Sequence, residues 1–202
     1  MKRRLLSDRW GYSLIEIMVV VGITGVVGAI AVPMMANTLG FFRLSGDARG
    51  VSNSVAVAKM RAASDFSRVR IYVDLGSKAH HLEAWDKVNS KWVVEGGTTY
   101  LSNNVAFGFG AVGAAPPNTQ GVIGQAPFCT DDLGAVIGGT ACLMFNSRGV
   151  PIADTPPAYP PTGADVLYLT DGSAVYAVTA AATGMIRLWR TLPTAVPNWV
   201  LN

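Results

Sequence analysis

The chain has 202 residues, of which half are hydrophobic and 14% are charged, and its formal net charge is +3. Four basic residues and one acid lie in the first eleven positions, so the rest of the chain carries 12 residues of each sign. This balance excludes an electrostatic argument for general nucleic-acid binding, which depends on clustered Lys and Arg. The length allows one domain with its own core beside a hydrophobic N-terminal segment.

A long hydrophobic segment follows the first residues. From Ile17 to Phe42, 26 consecutive residues carry no charge, more than the roughly 20 that a helix needs to cross a bilayer. A single carboxylate, Glu16, stands at its start. An acid in the hydrocarbon region costs about 2.5–3.5 kcal/mol or more and usually marks a functional position. The segment is preceded by four basic residues, Lys2, Arg3, Arg4 and Arg9. These residues predict that the amino end stays in the cytoplasm.

Three interpretations of this segment compete. A secretory signal peptide would place a small-residue cleavage site after the hydrophobic run, whereas here Gly11 precedes the run. A plain signal anchor explains the length and the basic flank but does not explain Glu16. The hexapeptide GYSLIE, from Gly11 to Glu16, resembles the processing motif of type IV prepilins. As in that family, the motif is followed by a long predicted helix with a proline near position 33.

The resemblance assigns roles to several residues. It implies that a prepilin peptidase cuts between Gly11 and Tyr12 and methylates the new amino terminus at Tyr12, where the family most often has Phe. It implies that Glu16 and Pro33 serve assembly, with the Glu16 carboxylate facing the amino terminus of a neighbouring subunit. The implied partners are the peptidase, other pilins or pseudopilins, which contact this chain through helix packing, and an inner-membrane assembly platform. Independently of the family, Pro33 removes an intrahelical hydrogen bond and predicts a kink.

After Pro33 the hydrophobic residues recur at spacings of three and four: Leu44, Ala48, Val51, Val55, Ala58 and Ala62. This spacing is typical of one face of an amphipathic helix. The pattern predicts a single helix from about Ser13 to about Ser64, with its second half packed on a globular domain.

Alternating residues then predict strands over Val69–Leu75, His80–Asp86 and Lys91–Glu95. The last two read as a hairpin in which Trp85 and Trp92 pack across the strands or in the core. Between residues 96 and 140 the periodicity fades, and Gly, Pro, Asn and Ala dominate. Such a long irregular stretch is often a functional or mobile loop, so residues 102–128 are predicted to form an exposed, variable region.

Cys129 and Cys142 are the two cysteines of the chain, 13 positions apart. If the domain lies beyond the inner membrane, its compartment is oxidising, and these residues are predicted to form a disulfide. A loop of this size stabilises a domain by about 3 kcal/mol in the chain-entropy model. A metal site is not predicted, because His80 and His81 lie in another segment without helpful spacing.

The C-terminal part again alternates, and it predicts strands over Cys142–Phe145, Asp165–Thr170, Ala174–Ala180 and Met185–Leu192, with a tail from Pro193 in which Trp199 docks. A strand that ends before Arg148-Gly149, followed by a hairpin that turns at Thr183-Gly184, is similar to the GspH/FimT group of minor pilins and pseudopilins. This similarity implies a long N-terminal helix and two small antiparallel sheets.

The predicted fold class is therefore α+β, with a long N-terminal helix packed on an antiparallel, β-rich globular domain. We expect a cleaved prepilin leader at residues 1–11 and a transmembrane and filament-core helix at 12–36. The amphipathic second half of the helix is expected at 37–64, and a periplasmic globular domain at 65–202.

The resemblance implies a minor pilin or pseudopilin, a non-catalytic structural subunit of a type IV pilus or of a type II secretion pseudopilus. The subunit is expected to cross the inner membrane once, with its domain in the periplasm, before it enters the filament. No enzyme activity, cofactor or metal is predicted, because no nucleophile, phosphate-loop or zinc-protease motif occurs.

An alternative is a minor pilin that binds DNA for natural transformation. Some FimT-like pilins are thought to bind DNA through basic residues that follow the glycine of the last hairpin. The basic residues here are Arg187 and Arg190, but Met185 comes directly after Gly184. Strict alternation also puts the two arginines on opposite faces of a strand. The match to this alternative is therefore poor.

Overall fold

The structure is a computed structural model that describes residues 12–202, without the side chains of Pro33, Met34, Ala36 and Asn37. The chain divides into two compact units between Leu39 and Gly40. Helix α1, Leu14–Ser64, contributes residues to each unit. The predicted single helix is thus observed with nearly the predicted ends.

The described part of the first unit consists of two residues without regular secondary structure and the first half of α1. Leu14–Val32 is long and apolar enough to cross a membrane, with a mean hydropathy of 2.4 and no buried portion. The large apolar side chains of this stretch that the structure describes are all more than half exposed. In water such a surface would be unfavourable, because each buried CH₂ group gains about 0.8 kcal/mol.

Twelve strands follow in the second unit. They are β1 Val69–Asp74, β2 Ala79–Asp86, β3 Lys91–Tyr100, β4 Ala106–Phe107, β5 Cys129–Thr130, β6 Val136–Ile137, β7 Thr140–Phe145, β8 Pro151–Ile152, β9 Val166–Thr170, β10 Val175–Ala180, β11 Ile186–Thr191 and β12 Val200–Leu201.

These strands form two antiparallel sheets of five and one short ribbon. The order in the first sheet is β3-β2-β1-β7-β8, and in the second it is β12-β11-β10-β9-β4. The ribbon pairs β5 with β6. Helix and strands together confirm the predicted α+β class.

The main core lies between the second half of α1 and the inner faces of both sheets. The helix contributes the six residues that the spacing selected, and each is fully buried: Leu44, Ala48, Val51, Val55, Ala58 and Ala62. The first sheet adds the alternate residues Val69, Ile71 and Val73 of β1, and the second sheet adds Leu167 and Leu169 of β9. The apolar face of the helix, with its period of 3.6 residues, therefore packs in one hydrophobic layer against the apolar faces of the strands, with their period of 2.

A second, smaller core covers the opposite face of the second sheet. Val166, Tyr168 and Trp189 lie there with Val112, which comes from the segment before β5. The prediction that residues 102–128 form an exposed region is therefore wrong for part of the segment. Gln125 Nε2 donates to the Tyr168 carbonyl oxygen, and Gln125 Oε1 accepts from the Tyr168 amide. The segment lacks periodicity because it packs on the sheet as irregular chain rather than as a helix or strand.

Two strand boundaries also differ from the prediction. Strand β3 continues through Gly96 and Gly97 to Tyr100, five residues beyond the predicted end. A register shift in β2 between His80 and Leu82 keeps the pair hydrogen-bonded past these glycines. The predicted C-terminal tail contains β12, which adds to the edge of the second sheet.

Candidate assembly helix and binding surfaces

The start of α1 carries a helix cap. The Glu16 amide donates to Ser13 Oγ at 3.2 Å, so Ser13 is the cap and Glu16 lies three residues later. A serine followed at this spacing by a glutamate is the capping-box pattern. An acid in the first turn also interacts favourably with the helix dipole, by about 0.3–1 kcal/mol at an exposed position. Glu16 thus has a local role that the sequence interpretation did not consider.

The Glu16 carboxylate is nevertheless open to a partner. Tyr12 is 79% exposed and Glu16 is exposed as well. Within residues 12–202 the carboxylate forms no ion pair. A carboxylate at the edge of an apolar helix, with no cation of residues 12–202 paired with it, is available to a charge from another molecule.

One residue of the predicted cleavage site and one predicted assembly residue cannot be located in this way. Gly11 and the side chain of Pro33 lie outside the described residues. The helix assignment continues through position 33 without interruption. Along the same stretch, a methyl group built on Gly22, Gly25 or Gly28 would have no atom within 4 Å. These glycines leave open surface on which another helix could approach closely.

The two glycine turns of the C-terminal pattern lie against each other. Gly149 and Gly184 both have positive φ values, +71° and +77°. A Cβ atom on Gly184 would clash with the Gly149 carbonyl oxygen. Lys59 of α1 donates from Nζ to the Gly184 carbonyl oxygen at 2.9 Å. The glycines are therefore required by close packing of both turns on the helix.

The structure separates the two arginines of the DNA-binding alternative. Arg187 and Arg190 lie in β11 opposite Thr179 and Tyr176 of β10. Arg187 is exposed on the face of the sheet that carries Trp189, whereas Arg190 lies on the helix-facing side, with its guanidinium 4.9 Å from the centre of the Phe41 ring. The two cations therefore do not form one basic patch.

A buried arginine joins four segments on the outer face of the first sheet. Arg70 is 2% exposed, and its Nε donates to Glu83 Oε2 at 2.7 Å. Its Nη1 donates to the Thr130 carbonyl oxygen at 2.7 Å and to Asp154 Oδ2 at 3.0 Å. Asp154 also accepts hydrogen bonds from the amide and the hydroxyl of Thr130. Sequence reasoning missed this cluster, and its one signal was an arginine between two apolar residues of a strand, Val69 and Ile71.

Aromatic rings extend this cluster. Trp85 and Trp92 lie opposite each other in the β2–β3 hairpin, with ring centres 5.1 Å apart, as the sequence predicted. The guanidinium of Arg68 lies 4.5 Å from the Trp85 ring and 4.0 Å from the Tyr159 ring. These cation–π contacts hold the proline-rich segment around Tyr159 against the sheet.

Cys129 and Cys142 form the predicted disulfide, and both residues are buried. The bond fixes β5 to β7 of the first sheet and thereby holds Thr130 beside Arg70. Asp131 accepts the amides of Leu133 and Ala135 in the turn of the ribbon. Within residues 12–202 there is no group of three or more His, Cys, Asp or Glu side chains that could hold a metal ion.

A serine and a histidine meet beneath the first sheet. Ser54 Oγ and His80 Nε2 are 3.2 Å apart. His80 Nδ1 is buried and has no hydrogen-bond partner among the described residues, although a catalytic base needs an orienting group there. Burial lowers the pKa of His80, and the neighbouring His81 lowers it further. The pair is a packing contact between α1 and β2 and does not have the geometry of a nucleophile with its base.

The solved structures that resemble this chain include two of the minor pseudopilin EpsH from the type II secretion system of Vibrio cholerae. The first has 11% sequence identity and a TM-score of 0.44, over 72% of this chain and 95% of the other. The second has 14% identity and a TM-score of 0.44, over 77% and 95%. No protein-family model matches the chain, and no curated protein matches it. A likeness at this level does not identify a function, which resides in particular residues.

Proposed function

We propose that this protein is a minor pilin or pseudopilin, a structural subunit that is processed after Gly11 and assembles through its N-terminal helix. The observation that carries the proposal is the exposed Glu16 carboxylate at the start of a 19-residue apolar span. Before assembly, the span anchors the subunit in the inner membrane. In the filament, the same surface packs against neighbouring helices.

The mechanism is electrostatic pairing in a medium of low dielectric constant. Cleavage between Gly11 and Tyr12 creates a positively charged amino terminus four residues before Glu16. The amino terminus of an incoming subunit pairs with the Glu16 carboxylate of its neighbour, and the attraction is much stronger in hydrocarbon than in water. Pairing sets the axial position of each subunit, while the open glycine surface allows close helix contact.

The test separates this role of Glu16 from its role in the helix cap. Glu16→Gln keeps a side chain that is suitable for a capping box but removes the charge, while Ser13→Ala removes the cap and keeps the charge. We expect Glu16→Gln and Glu16→Ala to be inserted and cleaved normally, yet to be depleted from filaments sheared off the cell. Ser13→Ala should be incorporated like the wild type. Normal incorporation of Glu16→Gln would disprove the proposal.

Processing is tested by mass spectrometry of the mature protein. We expect a chain that begins at Tyr12 and carries one added methyl group on its amino terminus. A chain that retains the first eleven residues in cells with an active prepilin peptidase would contradict the proposed processing.

DNA uptake is not proposed as a second function, because Arg187 and Arg190 lie on opposite faces of β11. DNA binding by proteins depends on several cations that reach one run of phosphates.

A further inference from the structure

A groove with a volume of about 470 Å³ lies beside the last two strands of the second sheet. Its lining comes from the chain between Arg190 and Asn202, and we call it the C-terminal groove. Four of its residues are large apolar side chains that are each more than half exposed, Leu192, Val196, Val200 and Leu201. A cluster of exposed apolar residues at one place is typical of a surface that another molecule covers.

A cation with no carboxylate partner among residues 12–202 stands at one end of the groove, and its guanidinium lies over the Phe41 ring. Arg190 is half-buried, and the described part of the chain places no carboxylate within ion-pair distance of it. Its Nε atom is buried and has no hydrogen-bond partner in residues 12–202. A partly desolvated charge without an anion is unfavourable. The groove therefore suits a ligand that brings a negative charge.

Other polar groups at this end of the sheet also lack partners. Thr191, which lines the groove, is 4% exposed, and its Oγ1 atom forms no hydrogen bond within residues 12–202. The hydroxyl of Tyr176, which lies opposite Arg190 on β10, is also buried and forms no hydrogen bond within residues 12–202. Residues at this end of the sheet account for three of the six such buried atoms in the described chain. Tyr176 lies on the same face of the sheet as Arg190, whereas Thr191, the next residue of β11, lies on the opposite face.

The backbone of β12 indicates the shape of the ligand. The Asn202 amide donates to the Leu188 carbonyl oxygen at 2.9 Å, and Val200 lies opposite Arg190. Because hydrogen-bonded positions alternate along an antiparallel pair, the N–H and C=O groups of Leu201 point away from β11. Strand β12 is the edge of the second sheet. An open edge pairs with an extended chain.

We propose that the C-terminal groove binds an extended peptide segment of a neighbouring filament subunit, in which a carboxylate lies beside apolar side chains. The carboxylate pairs with Arg190, the apolar side chains cover Val196 and Leu192, and the backbone adds to Leu201. The groove walls are too exposed for a small molecule, since small-molecule sites bury most of the ligand surface. Only the identity of the partner as a filament subunit rests on the proposed function.

The test uses the full chain in lipid nanodiscs, so that no detergent fills the groove. The probe is the fluorescein-labelled peptide acetyl-TVEVTV-amide, and its twin acetyl-TVQVTV-amide lacks only the charge. Binding is followed by fluorescence anisotropy. We expect the glutamate peptide to bind the wild type about tenfold or more tightly than the glutamine peptide, as for a partly buried charge pair.

Matched variants locate the site. Arg190→Met should remove the difference between the peptides, whereas Arg187→Met, on the other face of the same strand, should preserve it. Val196→Asp changes an exposed wall residue without a role in the core and should weaken binding of the glutamate peptide by repulsion. Val88→Asp, at an exposed position in the β2–β3 turn of the first sheet, is its control.

Several results would overturn the assignment. They are the absence of saturable peptide binding, equal affinities of the two peptides for the wild type, and the same loss in Arg187→Met as in Arg190→Met. Arg190-dependent binding of sodium dodecanoate without peptide binding would replace the peptide with a small amphiphile. The assay does not involve Glu16 or filament assembly. Its failure therefore leaves the proposed function intact, and normal incorporation of Glu16→Gln leaves the groove intact.

Discussion

Lys59 Nζ and the Gly184 carbonyl oxygen are joined by a hydrogen bond of 2.9 Å across 125 residues of sequence. The bond ties the second half of α1 to the last hairpin, and the turn at Gly149 lies against both. A glycine pair that resembles a family pattern in the sequence is thus explained by packing in this fold. Both residues adopt a left-handed backbone conformation, and a Cβ atom would clash with the backbone at Gly184 and crowd the Lys59 side chain at Gly149.

Gly184→Ala is expected to lower the stability of the domain. A non-glycine residue in the left-handed region costs on the order of 1–3 kcal/mol, and the new methyl group would also displace the Gly149 carbonyl. Thermal unfolding of the full chain in nanodiscs measures the loss. The control is Gly172→Ala, which has a similar φ of +87° but open space around its Cβ position. If the two variants unfold at the same temperature, the packing argument is wrong.

Arg70→Met should be among the most damaging single substitutions in this protein. It leaves the Asp154 and Glu83 carboxylates buried without their cation, and breaking a buried ion pair from one side typically costs about 3–5 kcal/mol. Asp154→Asn, which leaves Arg70 paired with Glu83, should cost less. The midpoint of thermal unfolding checks this order, and an Arg70→Met protein as stable as the wild type would contradict it.

The Cys129–Cys142 bond is expected to contribute about 3 kcal/mol in the chain-entropy model. The double variant Cys129→Ser/Cys142→Ser should therefore unfold at a lower temperature than the wild type. It should also expose the ribbon that supplies Thr130 to Arg70, which hydrogen exchange would detect. Titration of the denatured, unreduced wild type should find no free thiol, and two free thiols would contradict the bond.

Asp165 predicts a specific dependence of stability on pH. Burial raises the pKa of Asp165 from 3.8 to about 6, against an opposing hydrogen bond from Thr162. Because the folded state then binds the proton more tightly than the unfolded state, this group's stabilising contribution is present below about pH 4. It is lost as the pH rises to about 6, and its size is roughly 1–3 kcal/mol.

Asp165→Asn isolates this contribution. The variant should be more stable than the wild type at pH 7 and similar to it at pH 3.5, since the neutral amide resembles the protonated acid. His80 shifts stability in the opposite direction, because burial lowers the pKa of His80 and its neutral form is favoured in the folded state. His80 is present in both proteins and cancels in the comparison. A constant difference between the two proteins over this pH range would contradict the assignment to Asp165.

Local periodicity predicted much of the fold. The spacing of Leu44, Val51 and Val55 identified the buried face of α1, because three- and four-residue steps return to one side of any helix. Alternation located the central strands β1, β9, β10 and β11 within one or two residues. It failed between residues 102 and 128, where backbone and amide hydrogen bonds to Tyr168 replace a regular pattern.

The sequence by itself determined the apolar span with Glu16 at its start, the buried helical face and the pairing of the two cysteines. The span and the helical face depend on residue types at short spacing, and the cysteine pairing depends on the chain having only two cysteines. Tertiary structure decided that Arg70 meets Asp154 across 84 residues and that Lys59 binds the Gly184 carbonyl oxygen. It also decided that Arg190 lies beside an apolar groove with no carboxylate of residues 12–202 within ion-pair distance. Such contacts follow from the order of strands in the sheets, which no local spacing contains.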